Sequence, residues 1–234
     1  MTDRTAARPP LLDALRPYLE RAPLGALLLG ISSGFPYALL GATLTTRLAQ
    51  DGIDKRSVTA FSLAFLAYNL KFLWAPAVDR LRLPGLARLG QRRAWLLFSA
   101  AWVALAVAWL ATVDPRADLA LAAAAALMVG VAGATFDIVI DAYRIELLEP
   151  RQLGVGSGMS QYGWRIGSTS AGALALLVAG VWGWQAAYLA CAGFVLPAIA
   201  TALWLGEPAR HRAPAPAHGL TALFETVAGP LREF

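Results

Sequence analysis

Charge is scarce in this chain of 234 residues: 15% are Asp, Glu, Lys or Arg, against 58% hydrophobic and a mean hydropathy of +0.55. That balance cannot cover the surface of a water-soluble domain of this length, and it excludes one. Thiols and imidazoles are scarcer still. A single cysteine, Cys191, rules out an intramolecular disulfide and reads as a small apolar filler. The two histidines, His211 and His218, fall in an Ala/Pro-rich stretch, so no metal site is expected. Strand-like alternation of polar and apolar residues is missing, which disfavours a β-barrel and leaves helices to satisfy the backbone in lipid. The first 23 residues, with Arg4, Arg8, Arg16 and Arg21 among prolines, also lack a short apolar core followed by a cleavage site. No cleaved signal peptide is expected there.

What the chain has in abundance is long apolar runs. Six of them, roughly 25–48, 58–78, 95–113, 119–140, 159–181 and 184–205, reach the ~20 residues that a membrane-crossing helix needs. The expected class is an all-α membrane protein: a segment 1–23, a six-helix bundle over 24–205, and a linker with the start of an amphipathic segment over 206–234. Arg4, Arg8, Arg16, Arg21, Arg80, Arg82, Arg88, Arg92, Arg93, Arg144, Arg151, Arg210, Arg212 and Arg232 fall on one side of such a bundle. Arg47, Lys55, Arg56 and Arg116 fall on the other. This bias puts both termini in the cytoplasm and explains the net charge of +5 without a nucleic-acid partner. The loop DPRAD, 114–118, divides the runs three and three, the arrangement of the inverted repeats of secondary transporters. In the first run, SSGFPY (32–37) places Gly34 and Pro36 where a loosened or kinked helix is expected. The fifth carries Gly154, Gly156, Gly158, Gly163, Gly167 and Gly172, a stripe that permits close helix contact.

Apart from Arg47 at the outer end of the first, four charges fall in or just below these runs: Lys71 in the second, Asp137 and Asp141 in or just below the fourth, and Arg165 in the fifth. Each costs about 2.5–3.5 kcal/mol at a helix centre on insertion scales unless it meets a partner or water. At 1.5 Å per residue, Lys71, Arg165 and Asp137 lie about 20, 24 and 27 Å from the outer surface of a core about 30 Å thick. Their similar depths predict convergence on one polar cavity. Asp137 and Asp141 share a helix face, and Arg144 follows three residues later, so Asp141 either pairs locally with Arg144 or shares a proton-coupling role with Asp137. Tyr68 and Asn69 beside Lys71, Gln161 beside Arg165, and Tyr37 are further candidates to touch a polar solute, or else they glue helices together. Paired aspartates also serve membrane enzymes. The Gly-x-Gly-Asp run of intramembrane proteases and the dense Asp motif of lipid head-group transferases are both absent, so an enzyme is not expected.

The loop WAPAVDRLRLPGLARLGQRRAW, with Asp79, Arg80, Gly90, Arg92 and Arg93, resembles the cytoplasmic gating loop of the major facilitator superfamily. It differs in having Ala75 and Pro76 at its start and an insertion over 81–89. Three further stretches, SSGFPYALLGATL, YNLKFLWAPAVDR and ATFDIVIDAYRIELL, followed by YGWRIGSTSAGALAL, resemble the AmpG-type muropeptide permeases within that superfamily. The resemblance covers about residues 25–205.

It implies proton-driven import, across a bacterial inner membrane, of N-acetylglucosamine linked to anhydro-N-acetylmuramic acid, with or without peptide. No cofactor is needed beyond the proton gradient. Lys71, Asp79, Asp137, Asp141 and Arg165 match positions that inherit roles under this resemblance. Such carriers have two six-helix halves, so the expected partners are the lipid bilayer, a polar solute, and a C-terminal half or second copy. Carriage of siderophores or acyl-coenzyme A, and a non-transporting half that only binds a partner, are the competing readings.

Overall fold

The computed structural model describes residues 15–209, and all regular structure among them is helical. The His211 and His218 stretch and the amphipathic segment lie outside the described residues. Four stretches are long and apolar enough to cross a membrane: Arg21–Gln50, Gln91–Thr112, Leu119–Leu147 and Pro150–Leu205. The expected count of six is therefore not reproduced by length and composition, for two physical reasons.

The second expected span is not one continuous helix. We label the first long helix, Arg21–Gln50, α1, and the broken segment over 55–80 α2. α2 runs as Lys55–Ala60, a 3₁₀ stretch Phe61–Phe65, Leu66–Leu70, a second 3₁₀ turn Lys71–Leu73, and Ala75–Arg80. Pro76 has no N–H to donate to the carbonyl four residues back, so the ladder fails around 72–74 and the chain passes Trp74 at φ −112°, ψ −4°.

The fifth and sixth expected spans lie within one apolar stretch of 56 residues. Gly183 interrupts it with φ 81°, ψ 171°, a conformation that favours glycine. Cys191 Sγ donates back to the Ala171 carbonyl at 3.4 Å, so the chain reverses at Gly183 into two antiparallel legs. With Gln91–Thr112 as α3 and Leu119–Leu147 as α4, the legs are α5 (153–182) and α6 (184–205).

The irregularity of α1 lies just beyond the expected position. The helix continues through Gly34 and Pro36, then widens to a π-turn over Leu39–Thr43, where Gly41 has ψ −107°.

α1 packs along α5 by an exchange of glycines. A Cβ on Gly30 or Gly34 would meet the backbone of Ser160 and Trp164, and one on Gly163 or Gly167 would meet the backbone of Leu27 and Ile31. Two Gly-x-x-x-Gly pairs therefore face each other and let the backbones touch, the packing that lipid favours because it has no hydrophobic drive to bring helices together. Gly154, Gly158 and Gly172 of the expected stripe face open space, and Gly156 abuts Leu148.

Polar contacts sort the helix ends into two groups. Glu20 holds Gln152 and Arg151 at the start of α5. Arg92 at the start of α3 joins Asp79 at the end of α2 to Glu146 at the end of α4. At the opposite end, Trp184 Nε1 donates to Gln50 Oε1 at 3.2 Å and Arg116 pairs with Asp51 at 3.2 Å. Arg47, assigned by sequence to an outer loop, is buried there at 6% exposure. Its guanidinium donates to the Leu110 and Val113 carbonyls at 3.2 and 2.6 Å and lies over the Tyr188 ring, capping the C-terminus of α3.

Candidate functional site

α2 and α4 present opposite charges to each other at their irregular and regular turns respectively. Lys71 lies in the 3₁₀ turn that Pro76 forces on α2, and its ammonium pairs with Asp137 Oδ2 on α4. Ser33 Oγ of α1 donates to the other carboxylate oxygen. Asp137 thus has a cation on one oxygen and a neutral donor on the other, at 20% side-chain exposure, and Lys71 retains 33%. The pair is neither sealed in the core nor free in solvent. Removing one partner of a buried pair strands the other at about 3–5 kcal/mol, and partial exposure lowers that figure here.

Beside the pair is a cavity of about 270 Å³ lined by Gly30, Ser33, Asp137, Ile140, Asp141, Arg144, Ser160, Gln161 and Trp164. Its polar groups come from α1, α4 and α5. It is slightly smaller than the ~300–1,000 Å³ of a complete small-molecule site. Asp141 pairs with Arg144 at 3.0 Å, the local alternative read from sequence, and Arg144 also donates to Ser157 Oγ at 3.3 Å. A larger cavity of about 620 Å³ lies between the outer parts of α2 and α4, lined by alanines, leucines and Phe61, with Ser57 as its polar residue. It has no charge with which to orient a hydrophilic solute, so the smaller cavity is the candidate site.

The structure brings only two of the three expected charges together. Arg165 is exposed one helical turn beyond Gln161 and makes no ion pair among the described residues. Asn69 is likewise exposed. Tyr68 turns inward, its hydroxyl buried without a partner and close to Gly133. Tyr37, 42% exposed, packs with Tyr68, Phe65 and Trp164 at centroid distances of 5.6, 4.8 and 5.8 Å, an aromatic wall next to the pair. Ser33 was missed by the sequence reading; its position in SSGFPY, one helical turn from Tyr37 and facing α4, was the available signal.

At the arginine-rich end Arg92, Asp79 and Glu146 form a triad. Arg92, 8% exposed, reaches Asp79 at 2.6 Å and Glu146 at 2.7 Å. Gln91 Nε2 donates to the Asp79 carbonyl, and Trp95 Nε1 to that of Leu81 at 2.7 Å, so the insertion over 81–89 loops out while its ends close. Arg80 is half-buried beside Asp79, and Arg93 enters through its backbone N–H, which donates to Glu207 at 2.7 Å. Glu207 and Glu146 were not among the residues picked from sequence.

The described residues thus form helices long and apolar enough to cross a membrane, with an ion pair between two helices and a charge cluster at one end. The Major Facilitator Superfamily profile matches residues 25–232, and the chain belongs to that superfamily. It is 36% identical over 209 residues to the Anhydromuropeptide permease of Escherichia coli K12, covering 89% of this chain and 41% of that one. It is 31% identical over 209 residues to Putative transporter AmpG 4 of Rickettsia conorii, covering 88% of this chain and 50% of that one. Against an uncharacterized protein of Haemophilus influenzae the identity is 34% over 178 residues, 76% of this chain and 41% of the relative. The chain spans about half or less of the length of the curated relatives it matches. Those of these relatives whose names state a role are named as a permease and a transporter.

Proposed function

We propose that the chain is the N-terminal six-helix half of a proton-coupled importer of anhydromuropeptides in a bacterial inner membrane, built as a 3+3 repeat. The Lys71–Asp137 pair beside the polar cavity carries this reading. Six crossings agree with the sorting of helix ends: the contacts between ends described above join residues that six alternating crossings place on the same side. Protonation of Asp137 removes the charge that holds Lys71, so the α2–α4 link opens at a 3₁₀ turn of α2. Lys71 is then free for a solute carboxylate. Arg165, unpaired and exposed above Gln161, offers a second cation, and the Tyr37 wall offers an apolar face for sugar rings. Asp141, held by Arg144, stands next in line for the proton. The proton gradient supplies the energy and no cofactor takes part.

The small cavity fits a site shared with a second bundle, either a C-terminal half or another copy. The triad Asp79–Arg92–Glu146 acts as the cytoplasmic gate, with both termini on that side. The test is uptake of labelled anhydromuropeptide by membrane vesicles carrying the chain together with a second six-helix half. Siderophore and acyl-coenzyme A run in parallel. Gradient-driven uptake of the muropeptide alone supports the proposal; uptake of another solute in its place assigns the carrier to that solute.

A further inference from the structure

The chain leaves α6 at Leu205. Gly206, at φ 72°, turns it back, and the Tyr143 hydroxyl of α4 donates to the Gly206 carbonyl. The next residue, Glu207, places one carboxylate oxygen 3.0 Å from the Arg92 backbone N–H and the other 2.7 Å from that of Arg93. These N–H groups open the first turn of α3, a helix of 22 residues, where a carboxylate is favoured by both hydrogen bonding and the helix dipole. Gly90 precedes that turn at φ 91°, and a Cβ there would collide with the Glu207 carboxylate. A cavity of about 400 Å³ bounded by Arg82, Gly90, Gln91, Ala94 and Glu207 adjoins the contact.

Arg92 is therefore held twice. Its guanidinium binds Asp79 and Glu146, and its backbone binds Glu207. We infer that Glu207 is a positioning residue of the gate: it clasps the exit of α6 to the start of α3 and so aims Arg92 at its two carboxylates. Movement carried down α6 reaches Arg92 through Gly206 and Glu207 as well as through the packing of α6 on α3. Releasing two hydrogen bonds frees the first turn of α3, and the Arg92 ion pairs lose their alignment. The inference rests on the gating role proposed for the triad, but its test requires no transport, so its failure leaves the transporter reading standing.

The test uses the 234-residue chain in nanodiscs, with Ala94→Cys as the reporter. Ala94 is 2% exposed and lines the cavity beside Glu207. A hydrophilic maleimide reports its opening, and the chain without the reporter, whose Cys191 is buried, is the blank. Adding Glu207→Ala is expected to raise the labelling rate several-fold, Glu207→Gln to give an intermediate rate, and Arg151→Ala to leave it unchanged. A purely structural residue would lower thermal stability without selective opening at position 94. Unchanged labelling in both Glu207 variants, with the monodisperse peak kept, overturns the inference. If Glu207→Ala aggregates, the Gln variant decides on the same criterion. Aggregation of both also overturns it, because a clasp that opens in each cycle cannot be required for folding.

Discussion

Lys71 of α2 and Asp137 of α4 form an ion pair whose carboxylate also accepts from Ser33 of α1, so three helices meet at one titratable group. The partners lie 66 positions apart in sequence. Their meeting depends on the helix break that Pro76 forces on α2, since a 3₁₀ turn carries the lysine.

The backbone contact between α1 and α5 gives the sharpest stability test. Gly167→Ala puts a methyl group against the Ile31 backbone and is expected to cost about 1–3 kcal/mol, the usual penalty for overpacking. Gly172→Ala, on the same helix but facing open space, is expected to be neutral. Thermal unfolding of the two variants in detergent checks the difference.

Arg92→Ala removes the guanidinium that binds Glu146, whose side chain is 17% exposed, and Asp79, which at 44% can turn to water. The expected loss is about 2–4 kcal/mol, below the range for a fully buried pair. Arg151→Ala breaks pairs in which the arginine is 67% exposed, where solvent screens the charges, and is expected to leave the melting temperature nearly unchanged. A common melting assay separates them.

If Arg165 serves the solute, Arg165→Gln is expected to weaken anhydromuropeptide binding by about tenfold to a hundredfold, the range for losing a hydrogen bond to a charged group. Because Arg165 is exposed and makes no ion pair among the described residues, the melting temperature is expected to hold. Calorimetric titration of the two-half carrier measures the first, and unchanged affinity removes Arg165 from the site.

The chemistry of the site was more legible than its geometry. Lys71 and Asp137 stood out because charge in an apolar run needs a partner, and the partner each found is the other. Asp141 and Arg144 paired as their three-residue spacing allows. Arg165 did not follow: it stays exposed one helical turn beyond Gln161 and makes no ion pair among the described residues, because similar depth along two helix axes does not by itself bring side chains into contact. The break in α2 escaped a reading based on hydropathy, since 3₁₀ turns keep the same apolar residues, although Pro76 marked the place. Glu207 and Ser33 act through long-range contacts that no local spacing encodes. Arg47 looked like loop charge because nothing nearby in sequence shows the carbonyls at the end of α3 that it caps.

Whether Asp137 carries the coupled proton is tested most directly by Asp137→Asn in proteoliposomes of the two-half carrier, comparing uptake driven by a pH gradient with solute exchange at equal pH. Asparagine keeps the shape and the Ser33 contact but cannot gain or lose a proton at neutral pH. The account predicts that driven accumulation is abolished while exchange persists. Accumulation at the parent rate would contradict it.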